Sequence, residues 1–517
     1  MQTAEDNRYD VFVSYAEADR AWVEGFLLEA LDRAEVRHHR EAAFALGVPR
    51  LDAFEDAVRR SERILLVLSP AYFANETARF VDLLAQTYGL ETSTWPVIPL
   101  VLYAVDLPTR LAMLTRLDAT DPVTWEHVLQ SLCATFRRPT PSPAAPPPCP
   151  YPGMRPFELD DRHPFFGRDR ESEELLQCLR VHRFWTILGA SASGKSSLVF
   201  GGLVPKLRAS SLFGAGGWAI RTLRPGSDPL GELGRVLGAD PADAAAAAAR
   251  VREAGGGATQ FLLVVDQFEE LFTVARGDTV AFQETLLGLS RVPQVYVVLT
   301  VRADFYAELM RLRIWPEIQA HRYDVLPLDE DNLRDAIRKP AEEVGVYVEA
   351  ALVERLADDA AGEPGVLPLL QETLILLWDK LERRYLPLNA YESLILPRSA
   401  YGGDRDGAKR TGLEVAIALH ASRTLGDLDE AQQGVARRLF LRLIQFGDGR
   451  PDTRRQQTEA QLQAGIDPAT FGAVAKHLIE NRLLTSSGDE ASRRLDIAHE
   501  ALISGWPTLR RWIQENR

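Results

Sequence analysis

Short apolar runs alternate with helix-spaced stretches through the opening part of the chain. YDVFVSY (Tyr9–Tyr15), RILLVLS (Arg63–Ser69) and WPVIPLVLY (Trp95–Tyr103) are rich in β-branched residues. Between them, Ala18–Arg33 and Leu51–Arg60 carry apolar residues at helical spacing. Strands that are apolar on both faces and separated by helices predict a parallel sheet covered on each side. A second alternation runs from about Phe165 to Leu328, with FWTILGA, FLLVVDQ and VYVVLTVR as its buried strands. From Asp331 the helical period takes over. Ala431–Arg517 then adds short helices and one hairpin, LLTSSGDEASRRLDIAH, turning at SSGDE. The six alanines Ala244–Ala249, opened by Asp243 and closed by Gly255–Gly257, predict an exposed helix without chemistry. No internal repeat interrupts this plan.

A proline-rich stretch divides the two alternations. Pro139–Pro152 reads PTPSPAAPPPCPYP, eight prolines in fourteen positions, which excludes helix and interior strand. In polyproline II form it is a semi-rigid spacer able to hold its flanks roughly 40 Å apart. It is either a plain tether or a reach that lets the N-terminal module meet its neighbours in an assembly. The expected plan is an α/β multidomain protein. A module at 1–138 precedes the spacer at 139–152. An α/β domain at 153–330, a helical domain at 331–425 and a last domain at 426–517 follow. A chain of 517 residues accommodates this at roughly 150 residues per domain.

Charge and cysteine content remove several function classes. Net charge is −14, of which residues 1–138 carry −7, so no global positive field draws the chain to nucleic acid or an anionic membrane. No apolar run approaches the roughly 20 residues that span a bilayer. The N-terminus lacks the basic and apolar regions of a signal peptide. Three cysteines (Cys133, Cys149 and Cys178) make neither a disulfide framework nor a metal site. The expectation is a soluble cytoplasmic protein. Only six of its 59 basic residues are lysine, so each lysine is a rare choice.

One of those lysines carries the chemistry. WTILGASASGKSSLVF (Trp185–Phe200) contains G-x-x-x-x-G-K-[ST] as Gly189, Gly194, Lys195 and Ser196, with an apolar strand before and a helix former after. Two glycines let backbone N–H groups, including those of Ser193 and Ser197, wrap a phosphate at a helix N-terminus. Lys195 then reaches the β/γ-phosphates, and the Ser196 hydroxyl ligates Mg²⁺. FLLVVDQFEELF (Phe261–Phe272) supplies the partner half: Asp266, at the end of a buried strand, holds the metal through water. Glu269 or Glu270 orients or activates the attacking water. Gln267 stands where many related ATPases place that glutamate, which points to slow hydrolysis. VYVVLTVRADF (Val295–Phe305) ends in Arg302, placed to sense the γ-phosphate.

These residues resemble the STAND class of signal-transducing P-loop ATPases, over Tyr151–Arg517. PFFGRDRESEELL (Pro164–Leu176) looks like the segment that opens this class, and the resemblance implies that Phe166, Gly167 and Arg168 line the adenine and ribose. GEPGVLPLLQETLILLW (Gly362–Trp378) looks like the helical-domain motif whose proline contacts adenine, here Pro368 after Gly365. AHEALISGWPTLRRWI (Ala498–Ile513) is similar to the end of the winged-helix domain in a bacterial branch. That implies His499 on the β-phosphate of ADP, locking a closed state. The implied cofactors are ATP/ADP and Mg²⁺, and the implied function is a nucleotide-operated switch that oligomerises in bacterial defence or stress signalling. Relatives usually carry a C-terminal repeat sensor. This sequence stops at Arg517, so the trigger is read either by a part of the protein not included or by a separate partner.

The N-terminal module resembles a TIR domain through YDVFVSYAEADRAWVEGFLLEAL and SERILLVLSPAYFAN. Many TIR domains cleave NAD⁺ with a glutamate on the helix after that loop. Here Val81 falls at the glutamate position, with Asp82 beside it and Glu76 upstream. Valine cannot stabilise an oxocarbenium charge, and adjacent helical residues point about 100° apart, so Asp82 is no direct substitute. The favoured output is a non-catalytic TIR domain that clusters with itself or recruits an effector. Two alternatives stay open. One is a TIR-type NAD⁺ hydrolase clustered by its ATPase. The other is a winged-helix DNA-binding regulator using Arg454–Arg455, Arg493–Arg494 and Arg510–Arg511, against which the net charge weighs.

Overall fold

The computed structural model describes residues 9–44, 49–74, 96–153, 155–161, 163–213, 217–240, 243–254, 256–273, 275–361, 366–395, 412–446, 452–481, 483–487, 493–498 and 501–516. They form two compact units. The first comprises Met1–Pro148, Ala341–Val353 and Leu377–Tyr391; the second comprises Cys149–Pro340, Glu354–Leu376 and Glu392–Arg517.

The first unit is built on five parallel strands: β1 (Tyr9–Ser14), β2 (His38–Arg40), β3 (Ser61–Leu68), β4 (Val97–Val101) and β5 (Leu117–Asp118), in the order β2-β1-β3-β4-β5. This is the doubly wound order in which the strand order reverses between β1 and β3. Successive strand residues face opposite sides, so Val11, Val13, Leu65 and Val67 enter one core while Phe12, Ile64, Leu66 and Leu68 enter the other. The helix predicted over Ala18–Arg33 is continuous from Glu17 to Arg33, but its middle turn, Val23–Leu28, is a π-helix.

Residues far along the chain complete this unit. Tyr385 packs into the same core as Trp22, Phe26 and Trp125, with its ring centroid 5.8 Å from that of Trp125. Arg383, 1% exposed at its side chain, donates to Glu29 Oε2 at 2.9 Å and pairs with Glu126 at 3.2 Å. Its Nη2 also donates to the Pro141 carbonyl at 2.9 Å, and Trp378 Nε1 donates to the Pro147 carbonyl at 2.9 Å. The proline-rich stretch, which has neither helix nor strand, is therefore held at two points along its length.

The second unit contains another parallel sheet: β6 (Phe184–Gly189), β7 (Trp218–Leu223), β8 (Gln260–Val265), β9 (Val295–Arg302) and β10 (Arg322–Val325), in the order β10-β6-β9-β8-β7. β9 thus lies between β6 and β8, and Arg302 sits in register beside Gly189. The polyalanine segment is helical over Ala244–Ala254, and Asp243 accepts the Ala246 N–H at 3.0 Å as its N-cap. The expectation that this helix is exposed holds for its outer face only. Ala247, Ala248 and Val251 are buried against one face of the sheet, because alanine is small enough to let a helix approach closely. Toward the C-terminus, helices Glu430–Arg442, Glu459–Gln463 and Pro468–Glu480 accompany a small antiparallel sheet. In it Leu484–Ser487 and Gln457–Thr458 flank Arg494–Ile497. Among the described residues, no helix is long and apolar enough to cross a membrane.

Candidate functional site

At the end of β6 the chain turns through Ala192 (φ 56°) and Gly194 (φ 86°) before entering the helix that begins at Lys195. Gly194 needs its missing Cβ for that left-handed conformation. Lys195 is buried, and its ammonium folds back onto its own loop, donating to the carbonyls of Gly189 (3.0 Å) and Ala190 (2.7 Å). Burial pulls the pKa of Lys195 below the usual lysine range, while Glu269 and Asp266 oppose that shift. The Ser193 hydroxyl lies beside Gly189, and the Ser197 hydroxyl accepts the Phe157 N–H at 3.4 Å.

The strand order brings the second half of the site across β9. Asp266 is buried at the end of β8. Its Oδ1 accepts hydrogen bonds from the hydroxyls of Ser196 (2.6 Å) and Thr300 (2.7 Å), and its Oδ2 lies 3.4 Å from Arg224. Thr300, on β9, had no role in the sequence reading. It also accepts the Gln267 N–H at 3.0 Å and so fixes a residue held at φ 55°. The Ser196 and Asp266 oxygens stand side by side and form the kind of hard donor set that suits Mg²⁺. They are the residues that would hold the metal.

The two glutamates differ in environment. Glu269 accepts the Arg302 N–H at 3.3 Å, and burial pushes its carboxyl up to about 7 against the pull of its own backbone N–H and of Lys195. Glu270 accepts the Gly226 N–H at 2.9 Å, which ties it to the loop after β7. Burial also raises the Glu270 carboxyl. The Arg302 guanidinium is bound to Asp304 at 2.7 Å and lies over the Phe305 ring. Arg168, expected near the ribose, is a buried tie. It donates to Glu171 (2.7 Å), to the Leu326 carbonyl (2.7 Å) and to the Ser193 carbonyl (3.3 Å), and so couples the opening segment to the phosphate loop. Gly167 is buried just before it.

Lys195, Ser196, Thr300, Glu269, Glu270, Arg302 and Arg168 border a cavity of about 290 Å³, to which Asp266 is linked through the Ser196 and Thr300 hydroxyls. Phe166 and Pro368 line it, with Leu367 close over Gly194. Arg454, Arg494 and Asp496, from the C-terminal strands, form a further wall that the sequence did not associate with nucleotide. His499, Gly365, Glu76, Val81 and Asp82 lie outside the described residues.

Two further polar clusters are present. In the first unit, the carboxyl ends of β1 and β3 hold a buried network in which Ser69 donates to Asp19 at 2.6 Å and Ser14 meets the Tyr72 hydroxyl at 3.2 Å. Burial pushes the Asp19 carboxyl up to about 6. In the second unit, His182, Glu317 and His321 lie within metal-ligand reach of one another. The two imidazoles are stacked with centroids 3.3 Å apart and planes 10° from parallel. Imidazole lone pairs lie in the ring plane, so this pair does not converge on one ion.

Two family models account for the two parts of the chain. The family described as Novel STAND NTPase 1 matches residues 150–517, and the TIR domain family matches residues 11–133. A search of curated proteins returned no match. Among solved structures, the TIR domain of the Toll-related receptor TRR-2 from Hydra magnipapillata is 28% identical, covering 25% of this chain and 98% of its own, with a TM-score of 0.23. The Aeropyrum pernix ORC1 protein in complex with DNA is 16% identical over 68% of this chain and 93% of its own, with a TM-score of 0.34. The Aeropyrum pernix ORC2 protein is 16% identical over 71% and 98%, with a TM-score of 0.36.

Proposed function

This chain belongs to the novel STAND NTPase 1 family and carries a TIR domain ahead of it, and from that premise we propose that it is an ADP/ATP-operated signalling switch. The observation that carries the reading is a single cavity. It is bordered at once by the phosphate loop, by Glu269 and Glu270 beyond the end of β8, by Pro368 of the helical segment and by arginines of the C-terminal strands. A ligand gripped by all four holds those segments together, and one that contacts them differently shifts the balance between closed and open forms by its differential affinity.

Each residue has a task in this scheme. Gly194 and the first N–H groups of the following helix cradle phosphate oxygens. Lys195 leaves its loop carbonyls and turns its ammonium toward the phosphates. Ser196 and Asp266 hold Mg²⁺, which when bound offsets the phosphate charge. Glu269, with a pKa near neutrality, is suited to take a proton from water, and Glu270 holds the Gly226 loop. Gln267, which cannot accept that proton, occupies the position next to Asp266, so activation of water falls to Glu269 further along and hydrolysis is slow. The closed form contains ADP, clamped by the helical segment (331–425) and a winged-helix segment (426–517) that supplies His499. ATP favours an open form that oligomerises and clusters the TIR domains, in bacterial defence or stress signalling, with a separate effector or sensor as partner.

The decisive test is Lys195→Ala. Loss of a charge-assisted phosphate contact weakens ADP and ATP binding by roughly ten- to a hundredfold. It should also abolish any ATP-dependent change in particle size seen by light scattering. Unaltered binding and unaltered size would overturn the switch.

A further inference from the structure

Asp266 is gripped on both oxygens, and the two grips differ in kind. The Ser196 and Thr300 hydroxyls donate to Oδ1 at 2.6 Å and 2.7 Å. Oδ2 faces the guanidinium of the half-buried Arg224, whose Nε lies 3.4 Å away. In a chain this rich in arginine, nothing in the sequence singles Arg224 out.

The fold fixes where Arg224 starts. β7 ends at Leu223, in register with Val265, and the Asp266 N–H donates to the Leu223 carbonyl at 2.9 Å. Arg224 and Asp266 therefore leave neighbouring strands side by side. Pro225 restricts the chain after Arg224, and Gly226 turns it at φ 60°. That turn is pinned twice. The Gly226 N–H donates to Glu270 Oε2 at 2.9 Å, and the Arg276 N–H donates to the Ser227 carbonyl at 2.9 Å. A backbone already held in place has less freedom to lose when its side chain pairs.

The other cations near the site are engaged elsewhere. Lys195 donates to carbonyls of its own loop, Arg168 pairs with Glu171, Arg302 with Asp304 and Arg454 with Asp496. The Asp266 side chain is only 4% exposed, and a carboxylate so deeply buried is costly unless it is paired. Arg224 supplies that pairing. It also removes a rotation. The last torsion of an aspartate is broad, so two hydroxyls on one oxygen leave the carboxylate plane free to swing about that oxygen. A guanidinium on the other oxygen fixes the plane and keeps the carboxylate turned to Ser196.

We infer that Arg224 is a positioning residue for the magnesium site, setting the orientation of Asp266 beside Ser196 and acting through that carboxylate rather than on the nucleotide. This inference rests on the nucleotide reading above. Partners that orient a metal-binding side chain are worth roughly ten- to a hundredfold in metal affinity. Arg224, Ser196 and Asp266 all stand at the ends of one parallel sheet, so the contact serves the ADP-bound and ATP-bound forms alike.

The test uses the full chain, titrated with a non-hydrolysable ATP analogue in excess Mg²⁺, in EDTA and at stepped Mg²⁺ concentrations. Arg224→Gln is expected to raise the Mg²⁺ concentration for half-maximal binding about tenfold and to leave affinity in EDTA unchanged. Arg224→Lys keeps the charge without the planar fork and should recover part of that shift. Arg235→Ala, which removes an exposed arginine of the next helix, should match the wild type. Thermal melts establish that each variant is folded, and the lysine variant is judged by the same criterion if the glutamine variant is not. Equal losses in Mg²⁺ and in EDTA would make Arg224 a structural tie and overturn the inference. So would an unchanged or lowered Mg²⁺ requirement, or wild-type binding that is indifferent to Mg²⁺; in each case the nucleotide reading stands. A wild-type chain that binds neither the analogue nor ADP overturns both.

Discussion

Glu269 shows how burial and charge set the behaviour of one carboxyl. Desolvation by the surrounding residues raises its pKa to about 7, while its own backbone N–H and Lys195 hold it lower than burial alone would. The folded chain therefore binds this proton more tightly than the unfolded chain, where the ordinary value is 4.5. Its contribution to stability is therefore complete below that ordinary value and disappears as pH rises through about 7. Glu269→Gln should flatten this part of the stability profile, read as melting temperatures from pH 5 to pH 8. If hydrolysis is detectable, its rate should rise as pH passes about 7 and lose that rise in the same variant. Asp266 is a different case. With Ser196, Thr300 and Arg224 all on its two oxygens, Asp266→Ala strands three polar partners, and each buried group left unsatisfied costs about 1–3 kcal/mol.

At the scale of elements, residues Leu377–Tyr391 contribute to a unit most of which, Met1–Pro148, lies far earlier in the chain. Gly25 makes that possible. The Arg384 N–H donates to the Gly25 carbonyl at 3.0 Å, and a Cβ on Gly25 would come within 2.5 Å of the Arg384 carbonyl. Arg383 takes a left-handed φ of 61° to insert its guanidinium between Glu29 and Glu126. Removing one partner of a buried ion pair leaves an uncompensated charge, so Arg383→Ala should destabilise the first unit by about 3–5 kcal/mol. Gly25→Leu acts at the same contact by steric means. Both variants should speed amide hydrogen exchange at residues 382–386 while leaving β1 and β3 protected. Uniform loss of protection across the unit would mean that the segment is part of its folding core, rather than an element docked onto it.

The whole molecule carries net charge −14, and its basic pairs are largely spoken for by Asp496, Glu459 and the cavity. Retention on duplex DNA is expected to be absent at about 100 mM salt. Retention that falls steeply with added salt would return the DNA-binding alternative to first place. The NAD⁺ alternative is tested by incubating the chain with NAD⁺ and a non-hydrolysable ATP analogue and looking for nicotinamide. None is expected, and abundant product lost on Asp82→Ala or Glu76→Ala would contradict a non-catalytic TIR domain.

Much of this architecture is readable from local pattern. The strands β1, β3, β4, β6, β8 and β9 announce themselves because each is apolar along its length, a consequence of burial on both faces. The edge strands do not. His38–Arg40 and Arg322–Val325 are polar, and only pairing with a neighbour makes them strands. The phosphate loop and Asp266 are legible for a similar reason: a few residues on either side of a strand end suffice to fix the geometry. What the sequence by itself determined is this local chemistry, since its dihedral angles and spacings are set within about a dozen residues. Only the tertiary structure decided which arginine is paired and which faces the cavity, that Thr300 completes the Asp266 shell, and that Arg383 is buried near the start of the chain. Those outcomes depend on which distant segments close on one another. Arginine's long side chain and single charge look the same in sequence whichever carboxylate it will meet.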